Sequence, residues 1–154
     1  MSEVYLSVTV ANRLEELAQL YEALEEFADR AHLPQPTRRA LLLIVEELFT
    51  NVIHHGYDPG AVDLIALSMR RDGGLVQLTI RDGGRPFDAS RAPSEPDAEL
   101  TLDQMPVGGL GLYLVHEFAQ SVESRRDGAV NVTEIRLPVG DEAGGTTAGI
   151  GGGA

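Results

Sequence analysis

Apolar and polar residues alternate from Val4 to Val10 (VYLSVTV), and the β-branched side chains in that run suit a half-buried strand. From Asn12, a candidate N-cap, the period changes. Leu14, Leu17, Leu20, Tyr21, Leu24 and Phe27 recur at three- and four-residue spacing against Glu-rich faces, which predicts an amphipathic helix. Leu33, Pro34, Gln35 and Pro36 interrupt it, because proline disfavours helical geometry in the residue before it. Thr37 is a cap for a second predicted helix, TRRALLLIVEELFTNVIHHG, which is apolar around most of its circumference and so must be buried on several sides. It is predicted to stop at Gly56, since glycine takes the left-handed C′ position cheaply.

Two predicted hairpins follow. Residues 63–71 and 75–81 flank Asp72-Gly73-Gly74, and residues 121–126 and 129–137 flank Asp127-Gly128. Residues 82–108 between them hold four prolines and little periodicity, which predicts a long loop of the kind that serves as a lid or stays disordered. Gly109–Ala119 opens a third helix with a core stripe of Leu110, Leu112, Leu114, Val115 and Phe118. Residues 140–154 are Gly-rich and read as a disordered tail, leaving 1–139 as one domain. The element order predicts an α+β, two-layer fold: a mixed, mostly antiparallel sheet covered on one face by three helices, its other face open or used.

Composition narrows what such a domain does. At 154 residues the chain can bury roughly 70% of its unfolded surface, so it needs no staple. It has no Cys, which excludes thiol catalysis, zinc ribbons and disulfides. All 12 basic residues are Arg. Without lysine there is no Walker-type phosphate loop and no Schiff-base chemistry. A net charge of -12 disfavours nucleic acid and anionic membrane surfaces as partners. No apolar run approaches the roughly 20 residues of a membrane span, and MSEVYLSVTV lacks the layout of a signal peptide, so a cytoplasmic protein is expected.

Three clusters carry candidate chemistry. In the second helix, Glu47 and Asn51 are four residues apart and share a face that His55 continues, with Glu46 about 100° away. A carboxylate and an amide in line can set a proton acceptor beside a hard-cation ligand; a Glu pair on the wet side of an ordinary helix, with His54 and His55 answering the helix dipole, is the structural alternative. Asp82-Gly83-Gly84 follows a strand and offers an acceptor with backbone that a flat ligand can approach, or an ordinary turn. Gly108-Gly109-Leu110-Gly111 opens a helix whose N–H groups suit phosphate, or simply permits close packing.

Taken in order, EELFTNVIHHGY, RDGGRPFD and GGLGLYLV resemble the N, G1 and G2 boxes of the GHKL (Bergerat-fold) ATP-binding superfamily. Within it the chain resembles the small anti-sigma-factor serine kinases of bacteria. The resemblance implies Glu47 as general base and Asn51 as the ligand of magnesium bridging the nucleotide phosphates, with His55-Gly56-Tyr57 closing the box. It implies Asp82 as reader of the adenine amino group and Gly84 as the glycine that admits the base. Gly109 and Gly111, with Leu110 between them, match the lid hinge and the phosphate contact. Two features depart from the pattern: Gly83 stands where a larger residue is frequent, and the lid between Ala89 and Val107 has no Lys and only Arg91. The implied activity is transfer of phosphate from Mg-ATP to a serine of a STAS-domain anti-anti-sigma protein, by a homodimer that also sequesters a sigma factor; the alternative is a non-catalytic module that binds ATP or ADP and acts by sequestration.

Overall fold

The computed structural model describes the backbone of residues 3–91 and 109–140, and the side chains of all of these except 109 and 110. Beyond Arg91 the expected lid lies outside the described residues, as does the expected tail beyond Gly140. The elements run β1 (Val4–Ala11), a short 3-10 turn (Leu14–Glu16), α1 (Leu17–Arg30), α2 (Gln35–Gly56), β2 (Leu64–Asp72), β3 (Leu75–Asp82), α3 (Gly109–Phe118), β4 (Ser121–Asp127) and β5 (Val130–Pro138).

The five strands form one sheet in the order β1-β2-β3-β5-β4. Every pairing is antiparallel, where a mixed sheet was expected. The reason is the crossover after β3. It delivers β4 parallel to β3, but β5 folds back between them, so the two never pair. Register puts Val10, Ile65, Leu67, Leu78, Ile80 and Ile135 on one face, all at 3% exposure or less, against Leu20, Phe27, Ile44 and Phe49 of the helices. The opposite face presents Ser7, Thr9, Arg70, Arg81 and Glu123 to solvent. Gly73 and Gly128 both take φ +65 at the two hairpin turns, the left-handed geometry for which Asp-Gly was selected.

Four local expectations are corrected. Asn12 does not cap α1; its side chain donates to Ala61 O and accepts from Asp63 N–H, both at 3.0 Å, tying the end of β1 to the chain entering β2. Helix α1 ends before the prolines act: His32 is left-handed (φ 52), Leu33 N–H reaches Ala28 O and His32 N–H reaches Asp29 O, a Schellman motif. Helix α2 starts at Gln35, so Thr37 lies inside its first turn, where it is buried and its Oγ1 accepts from Gly140 N–H at 3.0 Å. In α3, Val115 is fully buried but Phe118 is 46% exposed and Leu112 only packs against the core, so the stripe is narrower than its apolar composition implied.

Candidate functional site

Helix α2 is the floor of the site because it is buried along one side by Leu41, Ile44, Val45 and Leu48 and packs against α1 and α3 on the others. Its two adjacent carboxylates turn apart. Tyr21 Oη on α1 donates to Glu46 Oε2 at 2.9 Å. Glu47 instead turns toward α3, where Gly111 closes over it: a Cβ at that position would lie 1.7 Å from Glu47 Oε1. Residue 111 must therefore be glycine for the carboxylate to stay where it is. Burial, then the neighbouring charge of Glu46, pushes the Glu47 carboxyl above the ordinary glutamate value. Asn51, one turn on and in line with Glu47, is 2% exposed. Its amide carries one neutral oxygen, a donor type that fits a hard cation held mainly by other oxygens.

The far end of α2 meets the loop after β3. Arg85 N–H donates to Gly56 O at 2.9 Å, so the loop satisfies a carbonyl that the helix leaves unpaired. Gly56 remains helical and does not adopt the left-handed conformation expected of it. The packing constraint falls on Gly84, since a Cβ on Gly56 would come no nearer than 3.5 Å to Gly84 Cα. A Cβ on Gly84 would sit 2.8 Å from Gly56 O and 2.9 Å from Gly56 Cα, so the two backbones touch. Asp82 is 5% exposed at the end of β3, and its Oδ1 accepts from Gly84 N–H at 2.9 Å and from Asn131 Nδ2 at 3.0 Å. Both bonds fall on one oxygen, which leaves Oδ2 to accept from a ligand.

Gly83, the departure from the family pattern, has a local cause: a Cβ there would lie 2.8 Å from Asp63 Oδ2. Asp63 occupies that space and accepts from Tyr57 Oη at 2.8 Å, while Asn12 holds its backbone. Burial, then the hydrogen bond and charge of Asp63, pushes the Tyr57 phenol well above its usual value. His55 is exposed and stacks on Phe87, with ring centroids 5.6 Å apart and planes 3° from parallel. Arg85 pairs with Asp58 at the rim. His116 of α3 bonds through Nε2 to Ala89 O at 2.9 Å, fixing the start of the expected lid to the helix that follows it. Gly109 and Leu110 lie in the first turn of α3.

Three residues of this site were not foreseen. Asn131 sits on β5 beside Asp82, Arg126 on β4 donates to Asn131 Oδ1 at 2.9 Å, and Asp63 backs Gly83. The signal for Asn131 was present: the alternation that turns Ile135 and Leu137 inward turns Asn131 inward as well. Nothing local identifies Asp63 or Arg126, whose contacts with Gly83 and Gly84 join positions distant in sequence.

The description "Histidine kinase-like ATPase domain" belongs to the family model that matches residues 10–137. The chain belongs to the histidine kinase-like ATPase family. Within that family, it is 33% identical over 129 residues to the serine/threonine-protein kinase BtrW of Bordetella bronchiseptica, covering 83% of this chain and 87% of that one. It is 29% identical over 125 residues to the anti-sigma F factor of Bacillus cereus, covering 79% and 73%. The RsbU and RsbW domains of Rv1364c from Mycobacterium tuberculosis share the fold at a TM-score of 0.59 and 12% identity, over 88% of this chain and 32% of that one. The family resemblance therefore holds, and the chain is a histidine kinase-like ATPase of the serine/threonine-protein kinase and anti-sigma-factor group.

Proposed function

We propose that this histidine kinase-like ATPase transfers phosphate from Mg-ATP to a serine of a STAS-domain partner, works as a homodimer, and sequesters a sigma factor or equivalent signalling partner in alternation with that substrate. The observation that supports this best is the arrangement along α2. Gly56 lies nine positions beyond Glu47, roughly 13 Å at 1.5 Å per residue. The helix therefore spaces a poised carboxylate from the Asp82 pocket by enough for a sugar and a phosphate chain to lie between them.

Each residue has a role by chemistry. Asp82 Oδ2 accepts from the amino group of adenine, and the touching Gly56 and Gly84 backbones leave the base a flat wall. Asn51 offers one neutral oxygen, which suits magnesium held mainly by phosphate oxygens and water. Bound there, the cation supplies neutralisation of phosphate charge, a task that a lysine-free chain assigns also to the backbone N–H groups at the start of α3, Gly109 to Gly111. Glu47 takes the proton of the attacking serine hydroxyl. Its raised affinity for protons makes it a better acceptor than an exposed glutamate once ionised. His55 stays at the rim through its stack on Phe87 and contacts the nucleotide from its edge.

Calorimetric titration of Mg-ATP into the wild type and Asp82→Asn tests the nucleotide site. The variant is expected to lose about 10- to 100-fold in affinity, the size of a lost charge-assisted hydrogen bond. Equal affinity in both proteins would refute the assignment of Asp82. Labelled ATP with a STAS-domain protein then separates a kinase from a sequestration module, which binds nucleotide and partner and transfers nothing.

A further inference from the structure

Asp82 is held in place by a chain of contacts that reaches the surface of the hairpin β4–β5. Asn131 Nδ2 donates to Asp82 Oδ1 at 3.0 Å, and it also lies 2.8 Å from Arg85 O and 3.3 Å from Gly84 O. Its other amide atom, Oδ1, accepts from Arg126 Nη1 at 2.9 Å. The same Nη1 donates to Gly84 O at 2.8 Å, and Arg126 Nε lies 3.3 Å from Gly128 O in the hairpin's own turn. One guanidinium thus grips both groups that touch Asp82: the amide of Asn131 and the peptide of Gly84.

An asparagine amide has two ends of opposite character, and only one orientation suits this site. With the amino end inward it meets three acceptors, and with the carbonyl end outward it meets a cation. Reversal would set Oδ1 against the Asp82 carboxylate and two carbonyls, and the amino group against the guanidinium. Arg126 adds the outer half of that preference and spans the gap between β5 and the G1 loop, which no backbone ladder joins.

We infer that Arg126 is a specificity-positioning residue that acts through Asn131 and Gly84 to aim Asp82 Oδ2 at the exocyclic amino group of the purine. The inference rests on the nucleotide reading above. Because Arg126 acts through Asp82, its loss weakens ligands in proportion to how much they use that carboxylate. A 6-amino purine uses it as a hydrogen-bond donor; a 6-oxo purine presents an acceptor and does not.

The test compares dissociation constants of Mg-ATP and Mg-ITP for wild type, Arg126→Met and Arg126→Lys by calorimetry, with melting curves confirming that each folds. Arg126→Met is expected to cut the ATP-over-ITP preference about tenfold, chiefly through weaker ATP binding. Arg126→Lys, whose ammonium can replace Nη1 but lacks the Nε bond that anchors the guanidinium to the hairpin turn, should lose about threefold. A merely structural role would weaken both nucleotides alike and leave the ratio unchanged, and an unchanged ratio in either folded variant overturns the inference. If Arg126→Met does not fold, the lysine variant alone decides. Wild type that binds ATP without preferring it to ITP also overturns the inference while leaving the nucleotide site intact, whereas wild type that binds neither overturns the nucleotide reading itself.

Discussion

The two ends of the α2 floor are built differently. At the base end, Asp82, Gly84, Asn131 and Arg126 are joined by hydrogen bonds of 2.8–3.3 Å. At the proposed phosphate end, Glu47 lies against a glycine, its pKa raised by burial and by Glu46, and Asn51 is buried one turn away. A network whose bonds are already made fixes geometry before the ligand arrives; a carboxylate whose charge is disfavoured by burial is poised to take a proton. On the proposed reading, recognition is preformed in this molecule and reactivity waits for the substrate.

The contrast can be broken at the reactive end first. Glu47→Ala should lower phosphotransfer by about 10²- to 10⁴-fold, the usual worth of a general base, while ATP affinity by calorimetry stays within about threefold. Normal transfer by this variant would remove Glu47 from the mechanism. Gly111→Ala should cost about 10- to 100-fold in the same assay with little change in melting temperature, because the added methyl displaces only the mobile end of the Glu47 side chain. At the recognition end the same kind of substitution should act on the fold. A Cβ on Gly84 meets backbone, so Gly84→Ala should destabilise by about 1–3 kcal/mol in chemical denaturation. If Gly111→Ala unfolded the protein and Gly84→Ala did not, the two ends would have been assigned the wrong way round.

The smallest effect is electrostatic. Because the folded state raises the Glu47 pKa, it binds that proton more tightly than the unfolded chain does. Ionised Glu47 therefore lowers stability at neutral pH, and the penalty is relieved as pH falls through the raised value toward the ordinary one. Glu47→Gln, which imitates the protonated acid, should melt slightly above wild type at pH 7, with the difference shrinking toward pH 4. The wild-type transfer rate should fall with acidification at a midpoint above the ordinary glutamate pKa, where the base becomes protonated. A variant that melts below wild type at pH 7 would show that the carboxylate is favourably held.

Much of this was readable along the chain. Alternation located all five strands within about a residue of each end, and Asp-Gly chemistry located both hairpin turns, because these depend on neighbours a few positions apart. The spacing of Glu47 and Asn51 on one helical row was equally local. Asn12 and Thr37 were misjudged for one reason: each looked like a helix cap, and each is instead engaged across the fold, by Asp63 and Gly140. Local rules rank what a residue prefers, and a tertiary partner overrides the ranking when it offers a better bond.

By itself, then, the sequence determined the elements, the lysine-free chemistry and the three boxes that mark an ATP-binding fold. Only the tertiary structure decided that β5 lies between β3 and β4, and with it that Asn131 stands beside Asp82 and that Arg126 reaches over both. Strand order is set by which long-range pairing buries the most apolar surface and leaves the fewest backbone groups unpaired. That quantity belongs to the folded chain as a whole, and no window of neighbouring residues contains it.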